Sequence, residues 1–95
     1  MTEEEKVIYN KNLNLLRIEI DTIDQKILNN LIERNKVSEK IGILKKQNGI
    51  NKMSIERQTE IINQLTPTSQ FIKKIYLTIF ENSINIQNQI IKNYE

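Results

Sequence analysis

Two cations stand where the pattern asks for apolar residues. Leu13, Leu16, Ile20, Ile23, Ile27, Leu31, Val37, Ile41 and Leu44 recur at the three-and-four spacing of one helix face. Arg34 falls on that stripe, midway between Ile27 and Ile41, where a plain spacer helix would carry Ile or Leu. Lys45 lies 11 residues further on, which at about 100° per residue returns it to within about 20° of the same face, with Cα atoms about 16 Å apart. Two long side chains leaning together across that distance enclose a gap suited to a small anion. Near the other end of the chain, Ser83 and Gln87 form an i, i+4 polar pair among Phe80, Ile84 and Ile91, so a second helix also turns polar groups inward. Buried polar groups need partners. A bound ligand is one; water or one another are the alternatives, and an inward Arg is also compatible with snorkelling or a salt bridge.

The rest of the composition narrows the chemistry. The chain of 95 residues has no His, no Cys and no Trp, and its only Asp residues are Asp21 and Asp24. It therefore lacks the usual ligands of zinc, copper, haem and iron–sulfur clusters, and no metal is expected. Cys–His and Ser–His nucleophile systems are excluded, as is the commonest general acid–base near neutral pH. An enzyme of this composition works by binding and electrostatics. A formal charge of +2, from 14 basic and 12 acidic residues, is too balanced for a non-specific nucleic-acid binder. No run approaches a membrane span, and the start, Met1 to Lys6, is acidic and polar where a secretory signal would be basic and then apolar. A soluble cytoplasmic protein is expected, with residues 1–6 a flexible, solvated tail and 7–95 a single helical domain. Lys73-Lys74 reads as a solvated face, and Tyr9, Tyr76 and Tyr94 as packing or surface residues.

The elements that position these side chains follow from the scarcity of breakers. Gly occurs at 42 and 49 and Pro at 67, so the chain holds only a few long elements. Its 19 Ile and 13 Asn, with no Ala, are mediocre helix formers, and packing must supply most of the stability. The first helix is expected from Leu13, or as early as Val7-Ile8, to Asn48-Gly49, where Gly can take the left-handed conformation that ends a helix. Gly42, inside that pattern, costs helix propensity and marks close packing. Ile55, Ile61, Ile62 and Leu65 form a short second helix, with Ser54 as N-cap and a stop at Thr66-Pro67. A third helix carries Phe71, Ile72, Ile75, Leu77, Ile79, Phe80, Ile84, Ile86, Ile90 and Ile91. The fold class is thus all-α, with three helices in the order long, short, long. A helix of about 40 residues is about 60 Å long, whereas a compact chain of this size has a radius of gyration of about 12 Å. Two shorter helices cannot cover its stripe, so the economical arrangement is an intertwined homodimer with the long helices side by side; a kink near Asn29-Asn30 or Gly42, giving a monomeric bundle, is the alternative.

The runs Leu16 to Asp24, Leu31-Ile32-Glu33-Arg34, Ile41-Gly42-Ile43-Leu44-Lys45, Ile55-Glu56-Arg57 and Ser83-Ile84-Asn85-Ile86-Gln87 together resemble the all-helical, type II chorismate mutase family. The ordered set Arg, Arg, Lys, Arg, Ser, Gln at these separations is far more specific than any one motif. It covers about residues 13 to 91, and the family's intertwined helical dimer agrees with the length argument. The resemblance implies rearrangement of chorismate to prephenate, at the entry to Phe and Tyr biosynthesis, without nucleophile, base, metal or cofactor. A rigid cage of cations and donors would hold the reactive conformer of this dianion and meet charge developing on its ether oxygen.

Carried over position by position, the resemblance implies that Arg34, helped by Ser83, binds one carboxylate and that Arg17 of the other chain binds the second. Lys45 would contact a carboxylate and the ether oxygen, and Gln87 would donate to that oxygen. Ile41, Phe80 and Ile84 would wall the pocket, with ordinary core as the alternative for each, and Arg57 would support its edge. At the start of the second helix the family often has Pro, then Asp before the Arg and Glu after it; here Asn51, Ser54 and Gln58 stand in those places. Ser54 and Gln58 are nevertheless candidate contacts to the substrate's ring hydroxyl, through backbone or carboxamide. The competing expectations are an isochorismate-pyruvate lyase, similar in fold and cage, and a non-catalytic helical dimerisation module. Ser83 and a polar Gln58 favour the mutase over the lyase. With neutral Gln at 58 and 87, activity is expected to vary little around neutral pH, where the α-amino group alone has an ordinary titration.

Overall fold

The computed structural model describes residues 1–50, 55–65 and 70–93. It contains three helices, α1 (Glu3–Gln47), α2 (Ile55–Leu65) and α3 (Gln70–Asn93), and no strand among the described residues. The expected long, short, long order is therefore present. Helical structure continues through Asn29-Asn30 and Gly42 without a break in α1. Contacts divide the chain into two compact units, Met1–Arg34 and Asn35–Glu95.

The first unit is the N-terminal part of α1 with its cap. The helix starts at Glu3 rather than near Val7, so residues 3–6, expected as tail, are its first turn. The reason is an N-cap: Thr2 Oγ1 accepts from the Glu5 N–H at 3.1 Å, and Thr2 Oγ1–H donates to Glu5 Oε1 at 3.1 Å. Glu3, Glu4 and Glu5 also place negative charge where the helix dipole is positive. The signal was present as Thr-x-x-Glu. Along this unit Leu16, Ile20, Ile23, Ile27 and Leu31 of the expected stripe are exposed, and so are Leu15, Ile18, Leu28 and Ile32, which lie off it. The helix is thus apolar on more than one side, not along a single stripe.

The second unit joins the C-terminal part of α1 to α2 and α3. α1 ends as the Gly49 expectation required: Gly49 has φ 67°, its N–H reaches the Lys46 carbonyl at 3.1 Å, and the Ile50 N–H reaches the Lys45 carbonyl at 2.8 Å. This is the Schellman arrangement, which satisfies the carbonyls of the last turn and holds the backbone at Lys45 and Lys46. α2 packs on α3, and within α3 the rings of Tyr76 and Phe80 lie 6.0 Å apart in a tilted contact. Pairings between α1 and α3 run from Asn35 with Asn82, through Ser38 with Ser83, to Lys45 with Gln87. Numbers rise together in both helices, so these two segments are parallel.

Gly42 sets how closely they approach. A Cβ built at this position would lie 3.2 Å from Gln87 Cα, 3.2 Å from Ile90 Cδ1 and 3.4 Å from Ile90 Cβ. Any larger residue would push against the α3 backbone. The close packing expected at Gly42 is therefore present, and it brings the side chains on either side of the glycine across to α3. Among the described residues, no helix is long and apolar enough to cross a membrane.

Candidate functional site

The interior of the second unit is more polar than a small helical core normally is. Among the described residues its buried side chains are Phe80, 5% exposed, and the polar Ser38, Ser83 and Gln87 at 4%, 8% and 7%. Taking a polar group out of water costs free energy unless it is hydrogen-bonded, and each of these three is. Ser38 Oγ donates to Ser83 Oγ at 3.1 Å, and Lys45 Nζ donates to Gln87 Oε1 at 2.9 Å. The two pairs lie on either side of Gly42 and form two rungs between α1 and α3.

The Lys45–Gln87 rung fixes more than a distance. An ammonium carries only donors, so the carboxamide must turn its oxygen towards Lys45. The Gln87 Nε2 hydrogens then point away from the cation as oriented donors. Lys45 is half-buried, which weakens screening of its charge by water. A fixed cation, an oriented amide donor and a hydroxyl pair suit an anion that also offers a neutral oxygen acceptor.

The other expected site residues are distributed as follows. Arg34, half-buried, and Arg17, exposed, both belong to the first unit. On α2, Gln58 is half-buried, while Arg57 is exposed and pairs through Nη1 with Glu60 Oε2 at 3.3 Å, one turn along its own helix. Ser54 and Asn51 lie outside the described residues. Of the expected walls, Phe80 is buried, Ile84 half-buried and Ile41 40% exposed. The structure therefore brings together Lys45 and Gln87, and it places Ser83 in the same interior.

Two polar contacts escaped the sequence reading. Asn82 Nδ2 donates to Asn35 Oδ1 at 2.8 Å near the surface. Ser38, the partner of Ser83, is the more consequential. Its position four residues after Arg34 and seven before Lys45 is itself a helical spacing. A search for polar residues in register with the two cations would have found it.

The second unit thus combines, on a helical scaffold, a cation, an oriented carboxamide and buried hydroxyls. The chain belongs to the type II chorismate mutase family, whose model matches residues 16–88. No curated protein and no solved structure gives a significant match.

Proposed function

We propose that the protein is a chorismate mutase, converting chorismate to prephenate by a pericyclic rearrangement. The observation that carries this reading is the Lys45–Gln87 pair at 2.9 Å, in a chain of the type II chorismate mutase family. In the rearrangement the ether C–O bond of the substrate breaks as a new C–C bond forms, and no atom is gained or lost. Catalysis asks for two things: the enolpyruvyl arm held over the ring, and donors aimed at the ether oxygen as negative charge grows there. Lys45 Nζ and Gln87 Nε2 are the two donors assigned to that oxygen, with Lys45 also contacting a carboxylate. Arg34 and Ser83 bind one carboxylate. Arg57 and Gln58 flank the pocket from α2, with Gln58 and Ser54 the candidates for the ring hydroxyl.

The second carboxylate is assigned to Arg17 of a second copy of the chain, in an intertwined homodimer. Exposed apolar residues support this assembly. Ile20, Ile23, Ile27 and Leu31 are from 37% to 58% exposed at helical spacing, and Leu15, Ile18, Leu28 and Ile32 extend the apolar surface around the helix. A helix apolar on more than one side needs cover on more than one side. Another copy supplies it and brings Arg17, three residues before Ile20, to the partner's site.

The test is product identification after separate incubations with chorismate and isochorismate. Prephenate from chorismate is the expected outcome. Pyruvate from isochorismate would instead make the protein a lyase, and no turnover of either would leave a dimerisation module.

A further inference from the structure

We propose that Ser38 is a positioning residue for the substrate carboxylate, acting through Ser83. The proposal rests on the mutase reading and adds a residue to it. Both hydroxyls are removed from water, at 4% and 8% exposure, and their oxygens are 3.1 Å apart. A hydroxyl has one proton to donate and two lone pairs. When Ser38 donates to Ser83, it fills one lone pair of Ser83 Oγ and excludes the Ser83 proton from the line between the two oxygens. Ser83 is thereby restricted to donating elsewhere, and its O–H is polarised by the bond it receives.

A carboxylate beside Ser83 selects this order. It can only accept, so the chain of donation runs from Ser38 to Ser83 to carboxylate, each proton pointing towards the negative charge. The second rung works the same way, with Lys45 turning the Gln87 amide so that its hydrogens face away from the cation. On each rung the α1 residue sets the direction in which its α3 partner donates. In Ser38→Ala the Ser83 hydroxyl loses the donor that polarises it, so its own donation to the carboxylate weakens.

The contact is to a carboxylate that is charged in both ground and transition states, so its loss affects binding more than chemistry. Steady-state kinetics with chorismate are to be measured for the parent, Ser38→Ala, Ser83→Ala and the double variant. Ser38→Ala is expected to raise KM about three- to tenfold with kcat within about twofold of the parent, the scale of one hydrogen bond. In the Ser83→Ala background the same substitution should leave KM unchanged. A packing role for Ser38 would persist in both backgrounds, and that result overturns the proposal. An unchanged KM in Ser38→Ala overturns it too. Ser38→Cys, which keeps the volume but donates weakly, should give an intermediate KM, and it carries the test if the Ala variant loses its helical circular dichroism. A parent that leaves chorismate unconverted overturns the mutase reading and this proposal with it, whereas an active parent with an indifferent Ser38 overturns this proposal alone.

Discussion

Lys45 Nζ lies 2.9 Å from Gln87 Oε1, joining a residue two from the end of α1 to one six from the end of α3 across 42 positions of sequence. The Schellman turn fixes the Lys45 backbone, and the close approach at Gly42 limits the position of Gln87 Cα. The pair is thus braced before any ligand arrives. Such preorganisation is what a reaction without covalent catalysis requires, because the donors then need not reorganise as charge develops.

Lys45→Ala removes the cation and also frees the Gln87 amide to turn. The expected result is a fall in kcat/KM of about two to four orders of magnitude, the scale of losing a preorganised electrostatic donor. Helical content and assembly should be retained, since the side chain is half-buried at a helix end. Kinetics beside circular dichroism check this; near-normal turnover would sink the assigned role.

With no His or Cys in the chain, no side-chain type that ordinarily titrates near neutrality is available. The rate should be nearly flat between about pH 6 and 8. Gln87→Glu should change that. A carboxylate beside the Lys45 ammonium stays ionised at neutral pH and offers the ether oxygen only lone pairs; it becomes a donor when protonated. Activity should therefore be low at neutral pH and rise as pH falls. A pH–rate profile that is steep for the parent, or flat and fast for Gln87→Glu, contradicts the assignment.

Gly42→Ala sets two effects against each other. Ala gains up to about 1 kcal/mol in helix propensity, but its Cβ would meet Gln87 Cα at 3.2 Å. Ile90 Cδ1, at the same distance, can rotate away; the α3 backbone cannot. We expect a lower Tm and a loss in kcat of about tenfold, from a displacement of Gln87 by a few tenths of an ångström. Thermal melts and kinetics together decide, and a stabilised, fully active variant would show that α3 yields freely.

Arg17→Ala and Lys45→Ala should complement each other if Arg17 serves the partner's site. Each alone is expected to be nearly inactive. When the two chains are refolded together, the mixed dimers contain one site with both defects and one with neither, so about a quarter of all sites recover. Activity that stays at the level of the separate variants would show that Arg17 does not complete the partner's site.

Much of this molecule was legible in one dimension because helices repeat. The spacing of Ile and Leu, the Asn48-Gly49 stop and the pause at Thr66 to Ser69 are local or periodic features, and they determined the three helices and the all-α class; the cation register of Arg34 and Lys45 is legible in the same way and suggested where to look for an anion site. The α1 start was legible too, in Thr2 and Glu5, but acidic residues there invited a solvated-tail reading. What periodicity cannot supply is which faces meet. Only the tertiary structure decided that α1 and α3 run parallel where Gly42 lets them touch, that Lys45 faces Gln87, and that Ser38 lies against Ser83. These pairs are separated by more than 40 residues, and nothing in local propensity couples them; their meeting depends on backbone approach at one glycine and on the need of each buried polar atom for a partner.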